Sequence, residues 1–422
     1  MNTPARNENI NVLVIEPMGA GGELLLHAVR SVGYRAIVAT TEEVYTKNLV
    51  KYADLIDEVI YVDFSDPRVA TEALLSKAAG YEIAGVVVAW EFLTDIAAQV
   101  AARLGLCGPD PALGKARRNK LTMCRTLTRA ACPTPALLAV LLSDSDYTQL
   151  DYKALHYPVV VKPAENSASF GVTVVSSGAE IQQAFKDAGQ WTHEYPHGIP
   201  FSREILFQEY VPGQEFSVEG VSVSGRYLPW GVTMKFTTSG KARAETAHIF
   251  PAPIAPELRD KILEVAKQAV QALGITNGIS HTEIKLDNAG NPRIIESCSR
   301  PAGDYIPRLV ELATGENPLE VYVKHAVGKL STGFLPAEPF RYAAIQFLRP
   351  RTEGNVRLID IPDVLKHAQI IEKRITVTEN EYVAPGSTNI ERLGWAIFTA
   401  EKSQNIVAAM DEFNNKTRIC IG

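Results

Sequence analysis

Between residues 11 and 104 the chain alternates short apolar runs with stretches of helical spacing. This alternation restricts the possible folds more than any other feature. Residues 11–16 (Asn-Val-Leu-Val-Ile-Glu) read as a buried strand. A glycine-rich turn follows at 17–22. Residues 23–32 then carry Leu24, Leu25, Ala28 and Val29 at helical spacing, closed by Gly33. Residues 35–39, 58–62 and 85–89 read as further strands, and residues 67–79 and 91–104 as helices. Parallel strands need crossover connections of this kind. The region is therefore expected to be an α/β unit, a parallel sheet with helices on both faces.

The turn at residues 17–22 invites a dinucleotide reading, but its spacing argues against it. The full G-x-G-x-x-G pattern is absent. The second strand ends at Thr40 and Thr41, with Glu42 just after, and not at a clear ribose-binding acid. A tight strand-to-helix turn is the expectation, with a helix N-terminus that can attract part of an anionic substrate. An NAD-binding oxidoreductase built on this unit is thereby disfavoured. Residues 108–115 look superficially like a P-loop. Five residues separate the two glycines instead of four, and Ala116 offers no hydroxyl for magnesium.

The second informative stretch is a hairpin near residue 290. Residues 279–286 and 293–300 flank Asp287-Asn-Ala-Gly-Asn-Pro292, which has turn chemistry. With residues 288–291 as the loop and Asp287 opposite Pro292, Glu283 lies directly across from Glu296. Side chains alternate along a strand, so His281, Glu283 and Lys285 should share a face with Ile294, Glu296 and Cys298. Two carboxylates placed opposite each other repel, and a cation between them removes that cost. Mg²⁺ suits one or two carboxylates combined with substrate phosphates. A surface hairpin with two solvated glutamates is the alternative.

Other segments add to this. Residues 117–130 read as a helix that Cys132-Pro-Thr-Pro135 breaks. Residues 143–155 are polar and look like a connection. Residues 157–163 deliver Lys162 at the end of a β-rich run. A loop of small and polar residues follows at 164–171, then a strand at 172–175; such a loop can wrap phosphate with backbone N–H groups. Residues 205–220 read as strand, turn at Pro212-Gly213, strand. The β segments between about 157 and 236 are expected to form a small antiparallel or mixed lobe. Helices are expected over 256–273, 306–313, 318–327 and 403–413. In the tail, strands are expected at 343–347 and 393–398, with a turn at Pro385-Gly386.

The 422 residues suggest two to three domains. A net charge of −6 without a long run of one sign disfavours a nucleic-acid surface. The five cysteines (Cys107, Cys124, Cys132, Cys298 and Cys420) are scattered, which argues against a disulfide framework or zinc site and suits a reducing cytosol. Residues 1–9 lack the apolar core of a signal peptide, and no apolar run is long enough to span a membrane. A cytoplasmic protein with no nucleic-acid or membrane partner is the expectation, with a homodimer the common default.

In this order the motifs resemble the ATP-grasp carboxylate–amine ligases over nearly the whole chain, most closely the L-amino acid ligases, which make dipeptides. The resemblance implies an N-terminal Rossmann-like domain over 1–115 and an ATP-grasp domain over 116–340. It places a small β-rich lid lobe at about 133–210, and a C-terminal portion over 341–422 that completes a larger α+β lobe. Gly108-Pro109 followed by Asn119-Lys120 resembles the entry to the ATP domain. Val161-Lys162-Pro163 and the loop with Ser167, Ser169 and Gly171 look like the phosphate-gripping element. Gln208, Glu209 and Val211 resemble the adenine hinge, and Glu215 falls at the ribose position. Glu283 and Glu296 match the paired magnesium ligands, for which Mn²⁺ is a possible substitute. Arg300 matches the arginine that stabilises the reacting centre. The family pattern Glu-x-Asn-x-Arg reads here Glu296-Ser-Cys298-Ser-Arg300, and a thiol is a poor match for a hard cation. Glu245 and His248 resemble the amino-acid-contacting segment.

The implied reaction is ATP-dependent. The carboxylate attacks the γ-phosphorus, ADP leaves, and an amine attacks the acyl phosphate through a tetrahedral oxyanion. An ATP-grasp carboxylase, or a ligase for a non-amino-acid carboxylate, would use the same ATP site. A nucleotide-binding protein that has lost its chemistry is the reading from another class.

Overall fold

Four parallel strands open the chain in the computed structural model, which describes residues 10–151, 155–238, 244–385 and 388–422. Their order across the sheet is Glu58–Tyr61, Arg35–Thr40, Asn11–Ile15, Ile83–Val88. Val12 and Val14 pack on one face with Leu25, Leu26 and Val29 of helix Gly19–Ser31. Leu13 and Ile15 pack on the other with Leu74, Ile96 and Val100 of helices Pro67–Ala78 and Thr94–Arg103. Burial on both faces is why the strands read as continuous apolar runs. The glycine-rich turn has a steric cause: a Cβ on Gly22 would lie 2.0 Å from the Pro17 carbonyl carbon.

A buried charge cluster fastens this domain to the loop before strand Glu204–Glu209. His197 Nε2 lies 2.7 Å from Glu16 Oε2, and its Nδ1 lies 3.1 Å from both carboxylate oxygens of Glu194. Trp90 Nε1 donates to Glu194 Oε1 at 2.8 Å. Burial alone would lower the His197 pKa, but the hydrogen bonds and charges of Glu16 and Glu194 outweigh it and push it up to about 9. A histidine pKa raised by folding stabilises the fold fully below its unfolded value of about 6.5, and that contribution is lost as pH rises through about 9. The difference is on the order of 3 kcal/mol. Urea unfolding between pH 6 and 9.5 is expected to show this alkaline loss as a difference between the native chain and His197→Gln, because Lys162, with its pKa brought down to about 8, titrates in the same window in both.

Strands Leu137–Leu142, Glu204–Glu209, Val159–Pro163 and Thr173–Val175 form a four-stranded antiparallel sheet in that order, covered by helix Ile181–Gly189. Strands Glu215–Val223 and Arg226–Thr237 do not join it, contrary to the expectation of one β lobe over residues 157–236. They lie within an antiparallel sheet of eight strands. Its order is Pro292–Cys298, Gly278–Leu286, Glu215–Val223, Arg226–Thr237, Glu245–Phe250, Tyr342–Leu348, Gly394–Ala400, Gln369–Ile375. Strand Glu215–Val223 is buried at seven consecutive positions, so its pattern identifies an interior strand without saying of which sheet. Helix Pro256–Ala272 covers one face of this sheet, and helices Ile306–Thr314 and Pro318–Ala326 join it to the N-terminal domain. Among the described residues no helix is long and apolar enough to cross a membrane. Gly386, in the expected tail turn, lies outside the described residues.

Candidate active site

The hairpin holds two features that strand alternation could not combine. Glu283 does pair with Glu296, and His281 with Cys298. Nearer the turn, however, Leu286 pairs with Pro292 and Ile284 with Ile294, so the loop is one residue longer than expected. A bulge at Ile295 restores the register. It also corrects the expected face of Ile294, which is fully buried with Ile284 in the core while Ile295 and Glu296 both line the cleft.

That cleft, of about 510 Å³, runs between the small sheet and the eight-stranded sheet. Lys120 begins helix Lys120–Arg129, whose cap is Asn119, accepting from the Thr122 N–H. Its Nζ donates to Asn166 O at 2.8 Å and to Glu296 Oε1 at 3.0 Å. Lys162 is buried on its strand, and burial together with the charge of Lys120 brings its pKa down to about 8. In the loop after Lys162, Ala168 and Ser169 both take positive φ, 50° and 63°, and the Phe170 N–H closes this tight turn on Ser167 O at 3.0 Å. Ser167 and Ser169 line the cleft; Gly171 does not, and a Cβ there would press on Ala188.

Gln208, Glu209 and Val211 lie at the junction of the two sheets and border the cleft. The Gln208 amide is turned to Pro135 O at 3.1 Å, and the Glu209 carboxylate accepts from the Ala136 N–H at 3.0 Å. Those side chains hold the segment in place, and its backbone borders the opening.

On the large sheet, register brings Lys235 opposite Glu215 and beside strand Glu245–Phe250. Its ammonium, 2% exposed, lies 2.6 Å from Glu245 Oε1, 2.6 Å from Glu283 Oε1 and 3.4 Å from Glu215 Oε1. One cation thus serves three carboxylates, whose donor atoms lie within 4.8 Å of one another. Burial would raise the Glu283 pKa, yet Lys235 and His281 hold it well below the usual carboxylate range. Burial pushes Glu296 up, reinforced by Glu91 and Glu283 against the pull of Lys120. Glu283 thus holds its charge more readily than Glu296, and each faces a lysine ammonium, Lys235 at 2.6 Å and Lys120 at 3.0 Å. Hard oxygen donors in that state fit Mg²⁺.

Arg300 closes the far wall. Its Nη2 donates to Glu91 Oε2 at 2.7 Å and its Nη1 to Pro301 O at 2.9 Å, while Nε is buried without a hydrogen-bond partner among the described residues. Beyond it, Asp304 receives both Arg392 Nη1 and Nη2, at 2.6 and 2.7 Å. His248 lies behind, out of the cleft, with Nε2 3.3 Å from Asp304 Oδ2 and 4.0 Å from Glu245 Oε2. Burial raises the Glu245 pKa, and Asp304 adds to that rise against Lys235.

Sequence reasoning missed Lys235, Glu91, Asp304 and Arg392. A lysine inside an apolar strand was a usable signal for Lys235. Nothing local links Arg392 to Asp304, 88 residues away.

A small sheet and a large one clasping a cleft, lysines on one side and paired carboxylates on the other, make up the ATP-grasp fold, and residues 155–308 match the ATP-grasp domain family. The chain therefore carries an ATP-grasp domain, as the motifs implied. It is 26% identical over 302 residues to alanine–anticapsin ligase of Bacillus subtilis (strain 168), covering 64% of this chain and 62% of that protein. It is 28% identical over 324 residues to dapdiamide A synthase of Enterobacter agglomerans, covering 74% and 72%. The crystal structure of L-amino acid ligase from Bacillus licheniformis matches with a TM-score of 0.81 at 20% identity, over 99% of both chains. The chain thus spans 62% of the length of the first of these relatives.

Proposed function

We propose that this protein is an ATP-dependent ligase that activates a carboxylate, that of an amino acid, as an acyl phosphate and joins it to an amine, releasing ADP and phosphate. The observation that carries the reading is the continuity of one cleft. Lys120, Lys162 and the Ala168–Ser169 turn line one part of it, the Glu283–Glu296 pair another, and Arg300, Glu245 and Asp304 the remainder. A polyphosphate, a divalent ion and an amino acid each meet complementary charge there.

Lys120 and Lys162 hold the phosphates as point charges, with the positive-φ turn supplying N–H donors. A bound polyphosphate favours the charged form of Lys162, against the burial that lowers its pKa. The backbone from Glu209 to Val211 borders the adenine position, and Glu215 accepts from the ribose. Glu283 and Glu296 would hold Mg²⁺, which, when bound, neutralises phosphate charge. Glu245 receives the ammonium of the first amino acid, whose burial in this acidic corner relieves the repulsion with Asp304. Asp304 is itself oriented by Arg392, and His248 supports both carboxylates from behind. Arg300, with an orientation fixed by Glu91, donates to the oxyanion formed when the amine attacks. Closure of the small lobe keeps water from the acyl phosphate.

Purified protein given Mg-ATP and a panel of amino acids is expected to release ADP and phosphate only when suitable amino acids are present, with the amide product seen by mass spectrometry. AMP and pyrophosphate as products exclude the acyl-phosphate route. Release that depends on bicarbonate and not on an amine assigns a carboxylase instead.

A further inference from the structure

The hairpin carries a third donor beside its two glutamates. Cys298 is on the cleft-side face of its strand with Glu296, two residues on and opposite His281. It is 1% exposed, and its Sγ lies 3.8 Å from Glu296 Oε1. Glu91 reaches the same corner from the N-terminal domain, and the donor atoms of Glu91, Glu296 and Cys298 all lie within 4.8 Å of one another. At bond lengths of about 2.1 Å to oxygen and 2.3 Å to sulfur, an oxygen and a sulfur on one ion stand roughly 3.1–3.6 Å apart. The observed sulfur-to-oxygen separation is within a few tenths of an ångström of that. Lys120 now neutralises Glu296, but its ammonium is one that a nucleotide's phosphates draw away.

We propose that the Cys298 sulfur is a donor to the cation position beside Glu296, and that it turns the selectivity of that position from Mg²⁺ toward thiophilic divalent ions. The inference rests on reading Glu283 and Glu296 as cation ligands. Mg²⁺ keeps oxygen ligands and loses water reluctantly. Thiolate sulfur favours ions such as Co²⁺, Zn²⁺ and Cd²⁺, and the incoming ion replaces the thiol proton, which leaves by way of Glu296, the acceptor 3.8 Å from Sγ that lines the cleft. Because Cys298 is enclosed, water cannot readily take its place. Glu296 remains a ligand for either kind of ion; the sulfur decides between them.

The test uses the full chain with Cys107 and Cys420, both exposed thiols, replaced by serine, together with ADP and no amino acid. Addition of Co²⁺ is expected to give an intense near-ultraviolet sulfur-to-cobalt charge-transfer band that Cys298→Ser abolishes. By calorimetry, Cys298→Ser is expected to weaken Cd²⁺ binding by roughly tenfold or more, as loss of a metal-site group does, and to change Mg²⁺ binding far less. Cys298→Asn, which supplies an oxygen, is expected to strengthen Mg²⁺ relative to Cd²⁺. Absence of the band in the native chain overturns the proposal whether or not the variants fold, as does unchanged Cd²⁺ affinity in a folded variant. If ADP binds with Mg²⁺ and no band forms, this proposal alone fails. If neither ADP nor Mg²⁺ binds, the ligase reading fails with it.

Discussion

Replacing Glu296 with glutamine is expected to lower amino-acid-dependent ADP release by about a thousandfold, equivalent to about 4 kcal/mol of transition-state stabilisation, while the melting temperature stays within a few degrees of the native value. The two halves of this expectation have different causes. Glutamine keeps the shape of the side chain but not the charge that, opposite Glu283, is proposed to hold the cation. Stability changes little because the lost contacts offset one another. Lys120 loses its carboxylate at 3.0 Å but keeps Asn166 O at 2.8 Å. Repulsion of Glu296 by Glu91 and Glu283, which helps raise its pKa, disappears. Rates of ADP release and a thermal melt on the same sample check both halves. A rate within tenfold of native rejects the assignment of Glu296.

Arg300→Met is expected to reduce turnover by about 10²–10³-fold, the usual effect of removing one oxyanion donor, and also to destabilise the chain. Glu91 is buried and loses the guanidinium at 2.7 Å, which helps keep its pKa low against burial. Stranding a buried charge costs about 3–5 kcal/mol. The double variant Glu91→Gln/Arg300→Met separates the two roles. It removes the stranded charge and is expected to recover most of the stability while turnover stays low. Recovery of turnover along with stability would mean that Arg300 only holds the fold together. With Arg300 assigned to the acyl end of the cleft in the proposed reaction, nucleotide affinity measured with ADP is expected to change less than threefold, roughly the accuracy of such comparisons.

The features read correctly from sequence are those set by neighbours in the chain. Glu283 and Glu296 are joined by a short turn, so turn chemistry placed them within a residue of each other, and they face because the longer loop and the bulge at Ile295 offset. The N-terminal sheet was legible because each crossover is local and both faces are buried. The allocation of residues 215–237 was not, because Pro212-Gly213 marks a change of direction without marking a change of sheet. Leu137–Leu142 went unassigned: an apolar run between a proline cluster and a polar connection has no periodicity of its own to read. The acidic corner was half legible. Glu245 and His248 came from a motif, but Asp304 and Arg392 meet only through the tertiary fold, and Lys235 becomes meaningful only once three strands align around it.

The bulge at Ile295 makes neighbouring codons unequal. The pairing of Ile284 with Ile294 anchors the strands to the core before the extra residue, and Glu296 comes after it. Gain or loss of a codon at the tip, residues 287–291, changes a solvated loop on the far side of that anchor. Loss of the codon for Ile295 removes only the extra residue: Ile294 and Glu296 then follow each other in regular alternation, one toward the core and the other toward the cleft opposite Glu283. The bulge therefore gives the strand one residue of slack ahead of Glu296, whereas loss of the codon for Ser297, which pairs regularly with Thr282, reverses the facing of Cys298.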